Sequence, residues 1–369
     1  MVNNHLPQSD RISFVAPDTL KCGISSYSNY LRSELEKITN VIFVPIKNPA
    51  PWNPVYWLAL AVKSYFSSNT IHIQFNYELF GHNSGVMVCI NSSIYFYTLY
   101  FLRFCKYKPI AITFHEAFTT ERKMVRITDI IYRKADLIIV HTKEAKNNFT
   151  RRGYKNITII AHGVLTPEII DSYKAKKILK LDNRIVISVF GYIQAFKNYE
   201  LVFDILNYLP HNYFLLCIGG YRVEEDKKYY DKILCLSKKN KNSLVTGYID
   251  EKKLSLYFAV SDFVLFPYEC TTQSGALAQA LSYQKICLTS DLPAFQEIYK
   301  QYSNIKIVHQ NTLKAWVDAI VALQESLEIR KILTANTEKY IEDNKWSKIA
   351  LMHKEAFSKL RELNNAHSY

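Results

Sequence analysis

The chain lacks an apolar run long enough to span a bilayer. Its best apolar stretches, PVYWLALAV (54–62) and IYFYTLYFL (94–102), stop at Lys63 and Arg103, far short of the about 20 residues a membrane helix needs. The opening MVNNHLPQSDR is polar and has no apolar leader core, so no secretory signal is expected. Seven cysteines are scattered without a CxxC pair, which weighs against a zinc site and fits reduced thiols in the cytosol. The chain holds only ten glycines, and no GxGxxG among them, so the dinucleotide fingerprint is missing. No carboxylate cluster has metal-ligand spacing, and no nucleic-acid motif accompanies the basic residues.

What is present describes a folded chain. Of the 369 residues, 49% are apolar and 21% charged, a globular composition with room for two domains. The net charge of +13 calls for an anionic partner: nucleic acid, a membrane surface or a phosphorylated substrate. The aromatic-rich stretches PWNPVYWLALAVKSYF (51–66) and SIYFYTLYFLRFCKYK (93–108) mix apolar surface with basic residues. They read either as interfacial helices or as buried crossover helices of a sheet. A cytosolic protein leaning on an anionic membrane fits this pattern better than one that reads DNA.

Short apolar strands alternate with amphipathic helices from end to end, the pattern of parallel sheets covered on both faces. Strands are expected at 11–17, 41–46, 70–75, 109–114, 137–140 and 157–160, and again at 184–191, 213–220, 243–248, 262–268 and 285–290. The polar, lysine-rich 166–183 reads as a linker. The expected fold is α/β: two doubly wound, Rossmann-like domains, 1–165 and 184–345, facing a central cleft. A final amphipathic segment, 346–369, carries Ile349, Met352, Ala356, Phe357 and Leu360 on one face and should pack onto a domain. In such folds ligands bind at loops that follow strands.

Four such loops stand out. After the first strand, Gly23 precedes a helix and lets backbone approach an anion, or marks an ordinary turn. After the fourth, His115 stands at a strand end, as a cleft residue or a structural hydrogen-bonder. Gly191 ends a strand, with Lys197 six residues on at the next helix head, suited to a phosphate or merely solvated. In TTQSGALAQALS (271–282), Thr272, Ser274 and Gly275 crowd a helix start. Capping alone would explain them; taken with Gly191 and Lys197, a diphosphate site reads better. Gln279 falls on the helix face away from Leu277 and Leu281.

In order along the chain, CGISSYSNYL (22–31), HIQFNYELFG (72–81), TFHEAF (113–118), ADLIIVHTKEAKNNFTRRGYKNITIIAHGV (135–164), FGYIQAFKNYE (190–200) and YECTTQSGALAQALSYQKICLTSDLPAF (268–295) resemble the GT-B glycosyltransferases of family four. The resemblance implies transfer from a nucleotide sugar with retention and no metal or other cofactor, and a last helix that crosses back to the first domain. It assigns Gly23 to the phosphate loop, His115 to the reaction centre, Lys197 to the leaving diphosphate, and Ser274 and Gly275 to the amides that hold the same group. Two features depart from the family. Tyr192 stands where an arginine is usual, and the usual glutamate pair falls on Thr271 and Gln279; Gln279 keeps hydrogen-bonding capacity for a ribose, without charge.

The expectation is a cytoplasmic, peripheral-membrane glycosyltransferase with a saccharide or lipid-linked acceptor, in bacterial surface polysaccharide assembly of the O-antigen or capsule kind. An inactive sugar-nucleotide binder or, further off, a basic nucleic-acid-binding protein are the alternatives.

Overall fold

The computed structural model describes residues 11–18, 23–47, 52–81, 85–115, 129–271 and 273–366. The chain divides into two compact units, Met1–Gly163 with Trp346–Tyr369, and Val164–Lys345.

The first unit is built on six parallel strands, β1 (Arg11–Pro17), β2 (Asn40–Ile46), β3 (Thr70–Phe75), β4 (Ile110–Phe114), β5 (Leu137–Val140) and β6 (Ile157–Ile159). Their spatial order is β2-β1-β3-β4-β5-β6. Strands β3, β4 and β5 are buried along their whole length, as strands covered by helices on both faces must be. Between them run α1 (Gly23–Glu36), α2 (Pro54–Phe66), α3 (Tyr77–Gly81), α4 (Gly85–Leu102) and α5 (Lys143–Arg151).

Helix α2 starts where Asn53 accepts a hydrogen bond from the Val55 amide at 3.0 Å and Pro54 occupies the first turn, both favourable at a helix start. It packs beside α4. The inner faces of the pair bury Trp57, Leu60, Tyr65, Tyr95, Phe96 and Leu99, with Trp57 stacked on Phe80 at 4.9 Å. The outer faces are also apolar: Val55, Leu58, Val62 and Phe66 on α2, and Val86, Ile90, Tyr97 and Phe101 on α4, are exposed. Both aromatic stretches are therefore crossover helices, and both keep an apolar stripe outside. Helix α4 is, among the described residues, the one helix long and apolar enough to cross a membrane. It exceeds the nine-residue run read from the sequence because the uncharged, mixed turn pair 85–93 precedes that run. Its buried inner face makes it a core-layer helix of this unit.

The second unit has strands β7 (Ile185–Phe190), β8 (Tyr213–Ile218), β9 (Ser243–Val245), β10 (Phe263–Phe266), β11 (Ile286–Ser290) and β12 (Lys306–Val308). They are parallel, in the order β12-β11-β10-β7-β8-β9. Its helices are α6 (Ser172–Ile178), α7 (Tyr199–Tyr208), α8 (Glu224–Lys239), α9 (Glu251–Val260), α10 (Gly275–Ser282), α11 (Pro293–Tyr302), α12 (Leu313–Glu325) and α13 (Leu327–Asn344). The stretch 166–183, expected as a linker, carries α6. Asp171 caps this helix, Ala175 is buried, and Lys176 Nζ pairs with Asp262 at 2.7 Å, so the segment is integrated into the second unit. Strand order reverses between β7 and β10. The loops leaving these neighbours run in opposite directions and open a crevice at the sheet's carboxyl edge.

The chain ends in α14 (Trp346–Ala366), which lies on α1 of the first unit. Its Trp346 ring contacts Tyr27 at 5.0 Å and stacks on Tyr30 at 5.7 Å. Gly163 makes room for it: a Cβ there would lie 2.2 Å from the indole Cδ2.

Candidate active site

The crevice between β7 and β10 assembles several of the expected residues. Gly191 follows β7 with φ of 103°, a conformation only glycine adopts without strain. A Cβ on it would lie 2.8 Å from Lys197 Nζ and 3.5 Å from Ala276 Cβ. One bare backbone position thus lets the ammonium and the start of α10 meet. Lys197 ends a single 3-10 turn, Ala195–Lys197, and the left-handed Asn198 redirects the chain into α7. The Glu269 amide donates to the Phe196 carbonyl at 2.8 Å, tying the loop after β10 to the Lys197 loop.

Lys197 is only 6% exposed, and its Nζ lies 5.6 Å from the Tyr268 ring centroid. Burial lowers its pKa to about 7; Asp226 opposes that shift and Arg222 adds to it. The site therefore holds a cation whose charge is incomplete at neutral pH and would be completed by an arriving anion. Beside it, Ser274 caps α10, its hydroxyl accepting from the Leu277 amide at 3.1 Å. The first helical bond runs from Ala278 N to Ser274 O, so the Gly275 and Ala276 amides have no carbonyl within the helix. Leu277, Ala278, Ala280 and Leu281 are buried, whereas Gly275, Ala276 and Gln279 lie on the open side, as the helical spacing predicts.

Thr271 turns inward on its own loop, its hydroxyl donating to the Gln273 carbonyl at 2.8 Å. Gly23 is exposed at the first residue of α1, with no atom within 4 Å of where a Cβ would stand. Thr272 lies outside the described residues, as does 116–118 of the TFHEAF segment.

His115, directly after β4 in the first unit, is half-buried. Its Nε2 donates to Gln74 Oε1 at 2.7 Å, and the Gln74 amide nitrogen in turn donates to His72 Nε2 at 3.1 Å. His72 Nε2 also meets the Thr113 hydroxyl at 2.8 Å. Nδ1 of His115 is thereby left as the ring's acceptor. The Tyr27 ring centroid lies 4.7 Å from His115, and 5.2 Å from both His141 and His162. Burial, reinforced by the neighbouring histidines, holds His115 well below its ordinary pKa. At neutral pH it is an uncharged imidazole in a fixed orientation, whose Nδ1 can accept a hydrogen bond.

Sequence reasoning missed the loop after β8, whose Arg222 and Asp226 act on Lys197, and the buried partners of His115. The loop had a visible signal in the glycine pair of YFLLCIGG; a polar His72–Gln74 pair inside an apolar strand had none.

Residues 170–340 match the family model described as glycosyl transferases group 1. Among curated proteins none matches the sequence. Solved structures are similar over nearly the whole chain. HepE from Anabaena, in complex with UDP, has a TM-score of 0.74 at 13% identity, covering 95% of this chain and 100% of that one. Sucrose-phosphate synthase from Thermosynechococcus elongatus gives 0.72 at 13%, covering 96% and 100%. An α,α-trehalose-phosphate synthase from Burkholderia xenovorans, with glucose-6-phosphate, gives 0.71 at 12%, covering 94% and 99%. The family match is thus confined to the second unit, and the chain as a whole has the GT-B fold of these structures.

Proposed function

We propose that the enzyme moves a sugar from a nucleoside-diphosphate donor to a saccharide or lipid-linked saccharide, with retention and without a metal ion. We place it in the cytoplasm, on the inner face of the membrane, in bacterial surface polysaccharide assembly of the O-antigen or capsule kind. The observation that carries the donor side is the meeting of Lys197, Gly191 and the amino end of α10 at one crevice. An ammonium and free helix amides stabilise the charge that grows on a departing diphosphate. HepE, similar in fold, has been solved with UDP and with UDP-glucose, which supports a nucleotide-sugar donor. The trehalose-phosphate synthase with glucose-6-phosphate supports a saccharide acceptor.

The membrane surface is favoured by a separate observation. The exposed stripes of α2 and α4 continue into Phe104, which is 89% exposed. Between Trp52 and His115 the sequence has a single acidic residue, Glu78, against Lys63, Arg103, Lys106 and Lys108. Exposed aromatic residues with basic neighbours insert at the headgroup level of anionic bilayers.

Two measurements test the reading. A thermal-shift panel of UDP-, GDP- and ADP-sugars should contain one that stabilises the protein, by about 2.7 kcal/mol at a hundred times its Kd. Sugar release or transfer from that donor should follow. A panel without effect refutes the donor assignment. Vesicles with anionic lipid should bind the protein at low salt and release it as salt rises; equal cosedimentation with neutral vesicles refutes the surface.

A further inference from the structure

The ring of His115 belongs to a line of buried groups that ends on α14. His72, Gln74, Thr113 and His353 are all completely buried. His115 Nε2 meets Gln74 Oε1 at 2.7 Å, the Gln74 amide nitrogen meets His72 Nε2 at 3.1 Å, and the His72 and His353 ring centroids lie 5.5 Å apart. Gln74 by itself sets no direction. Turning its amide over would reverse both bonds and move the proton of His115 from Nε2 to Nδ1. The Thr113 hydroxyl, 2.8 Å from His72 Nε2, donates or accepts and serves either arrangement.

The far end is not reversible. His353 Nδ1 lies 2.8 Å from the Ile349 carbonyl, one turn earlier on α14. A carbonyl only accepts, so Nδ1 holds the proton and Nε2 keeps a lone pair. That Nε2 is buried without a partner among the described residues, and so is His72 Nδ1. With the Gln74 amide nitrogen toward His72, that ring carries its proton on Nδ1. One orphan is then an acceptor and the other a donor, on rings separated by little more than a direct N–H···N bond between imidazoles requires. In the reversed arrangement both orphans would be lone pairs. Phe14 and Phe357 flank His72 at 5.2 and 4.9 Å, an apolar setting in which charging either ring is unfavourable.

We propose that His72 Nδ1 donates to His353 Nε2 and that α14 thereby fixes the tautomer of His115. His353 is a positioning residue that acts through His72 and Gln74; this rests on the proposed transfer reaction, with His115 at its centre. The consequence is a chemical restriction. Nδ1 of His115 receives a hydrogen bond, so it selects a substrate hydroxyl and turns away an unprotonated phosphate or carboxylate oxygen.

Long-range proton–nitrogen NMR correlation of the full-length chain, carrying isotope-labelled histidine, reads the tautomer of each ring, with single substitutions to assign the signals. In the wild type His115 should be the Nε2–H form, and His72 and His353 the Nδ1–H form. His353→Phe removes the acceptor, so the His115 proton should move to Nδ1 in a large share of molecules. Its kcat should fall about 10- to 100-fold, the usual cost of losing a group that orients a histidine, with donor KM nearly unchanged. His353→Gln, whose amide oxygen accepts, should keep the wild-type tautomers and most of the rate. Far-UV circular dichroism checks the fold of both variants. A wild-type His115 tautomer in folded His353→Phe overturns the role of His353, as does a wild-type chain whose His72 carries its proton on Nε2. A shifted tautomer with unchanged kcat overturns instead the place of His115 in the reaction.

Discussion

Lys197 stands near the start of α10, which carries Gln279 on its open side, and in the proposed donor site their chemistry separates their work. A leaving diphosphate gains charge in the transition state, so an ammonium beside it favours that state over the ground state. Lys197→Ala should lower kcat by roughly 10²- to 10³-fold, about 3 to 4 kcal/mol, with a smaller rise in donor KM. In the proposed donor site Gln279, on the open side of α10, offers a neutral amide whose contact with a ribose would be the same before and during reaction. Gln279→Ala should raise donor KM and leave kcat nearly unchanged. Steady-state kinetics decide it, and normal turnover in Lys197→Ala would mean the diphosphate lies elsewhere. The lysine's pKa of about 7 adds a signature. At pH 8 the empty site is largely deprotonated, so donor binding should draw a proton from the buffer. Titration in buffers of different ionisation enthalpy would show it, and Lys197→Ala should abolish it.

Among elements, α14 depends on one missing side chain. Gly163→Ala would place a Cβ 2.2 Å from the Trp346 indole, which must then leave Tyr27 and Tyr30. The expected loss is about 1 to 3 kcal/mol, read from urea unfolding followed by tryptophan fluorescence. An unchanged midpoint would show that the indole anchors nothing. Elements differ in how much of this the sequence discloses. Parallel strands such as β3, β4 and β7 are buried on both faces, so they appear as apolar runs and were legible. Strand β12 was not: only Lys306–Val308 pair, beginning at a lysine, too short to show a period. Helix α6 was hidden for a related reason, since in SYKAKKI only Ala175 is buried. The two aromatic helices fitted both readings because each buries one apolar face and exposes another. At the candidate site, Gly191, Lys197 and Ser274 were legible from their places after strands. Arg222 was not, because its loop meets the Lys197 loop through hydrogen bonds between residues far apart in the sequence, such as Gln194 and Asp226.

Across the whole molecule, the buried histidines set a pH limit. His72, His115, His141, His162 and His353 all have lowered pKa values, in each case chiefly through burial. The values fall to about 3 for His141 and about 4 for His353. The unfolded chain binds these protons near pH 6.5 and the fold refuses them, so stability is complete above that pH and is lost as pH falls below it. Each histidine contributes at most about 1.4 kcal/mol per pH unit. Urea midpoints should decline steeply from pH 6.5 to 5, less so in His353→Met; a flat profile would contradict the neutral cluster.

All five histidines belong to the first unit, and His353 reaches it from α14, where its ring lies 5.5 Å from that of His72. The second unit interrupts the first: Val164 and Lys345 pair as a parallel bridge, and the Val164 amide donates to the Asn344 carbonyl at 2.8 Å. On a ribosome this arrangement fixes a calendar. Residues 164–345 emerge as one uninterrupted stretch and are able to close their core as a unit, at about 5 to 20 residues per second of synthesis. The earlier-made sheet must wait for α14 to bring His353 and Phe357 against His72 of β3. The half of the protein that is translated first is thus the half that matures last, and during that interval a nascent-chain chaperone would find its exposed surface there.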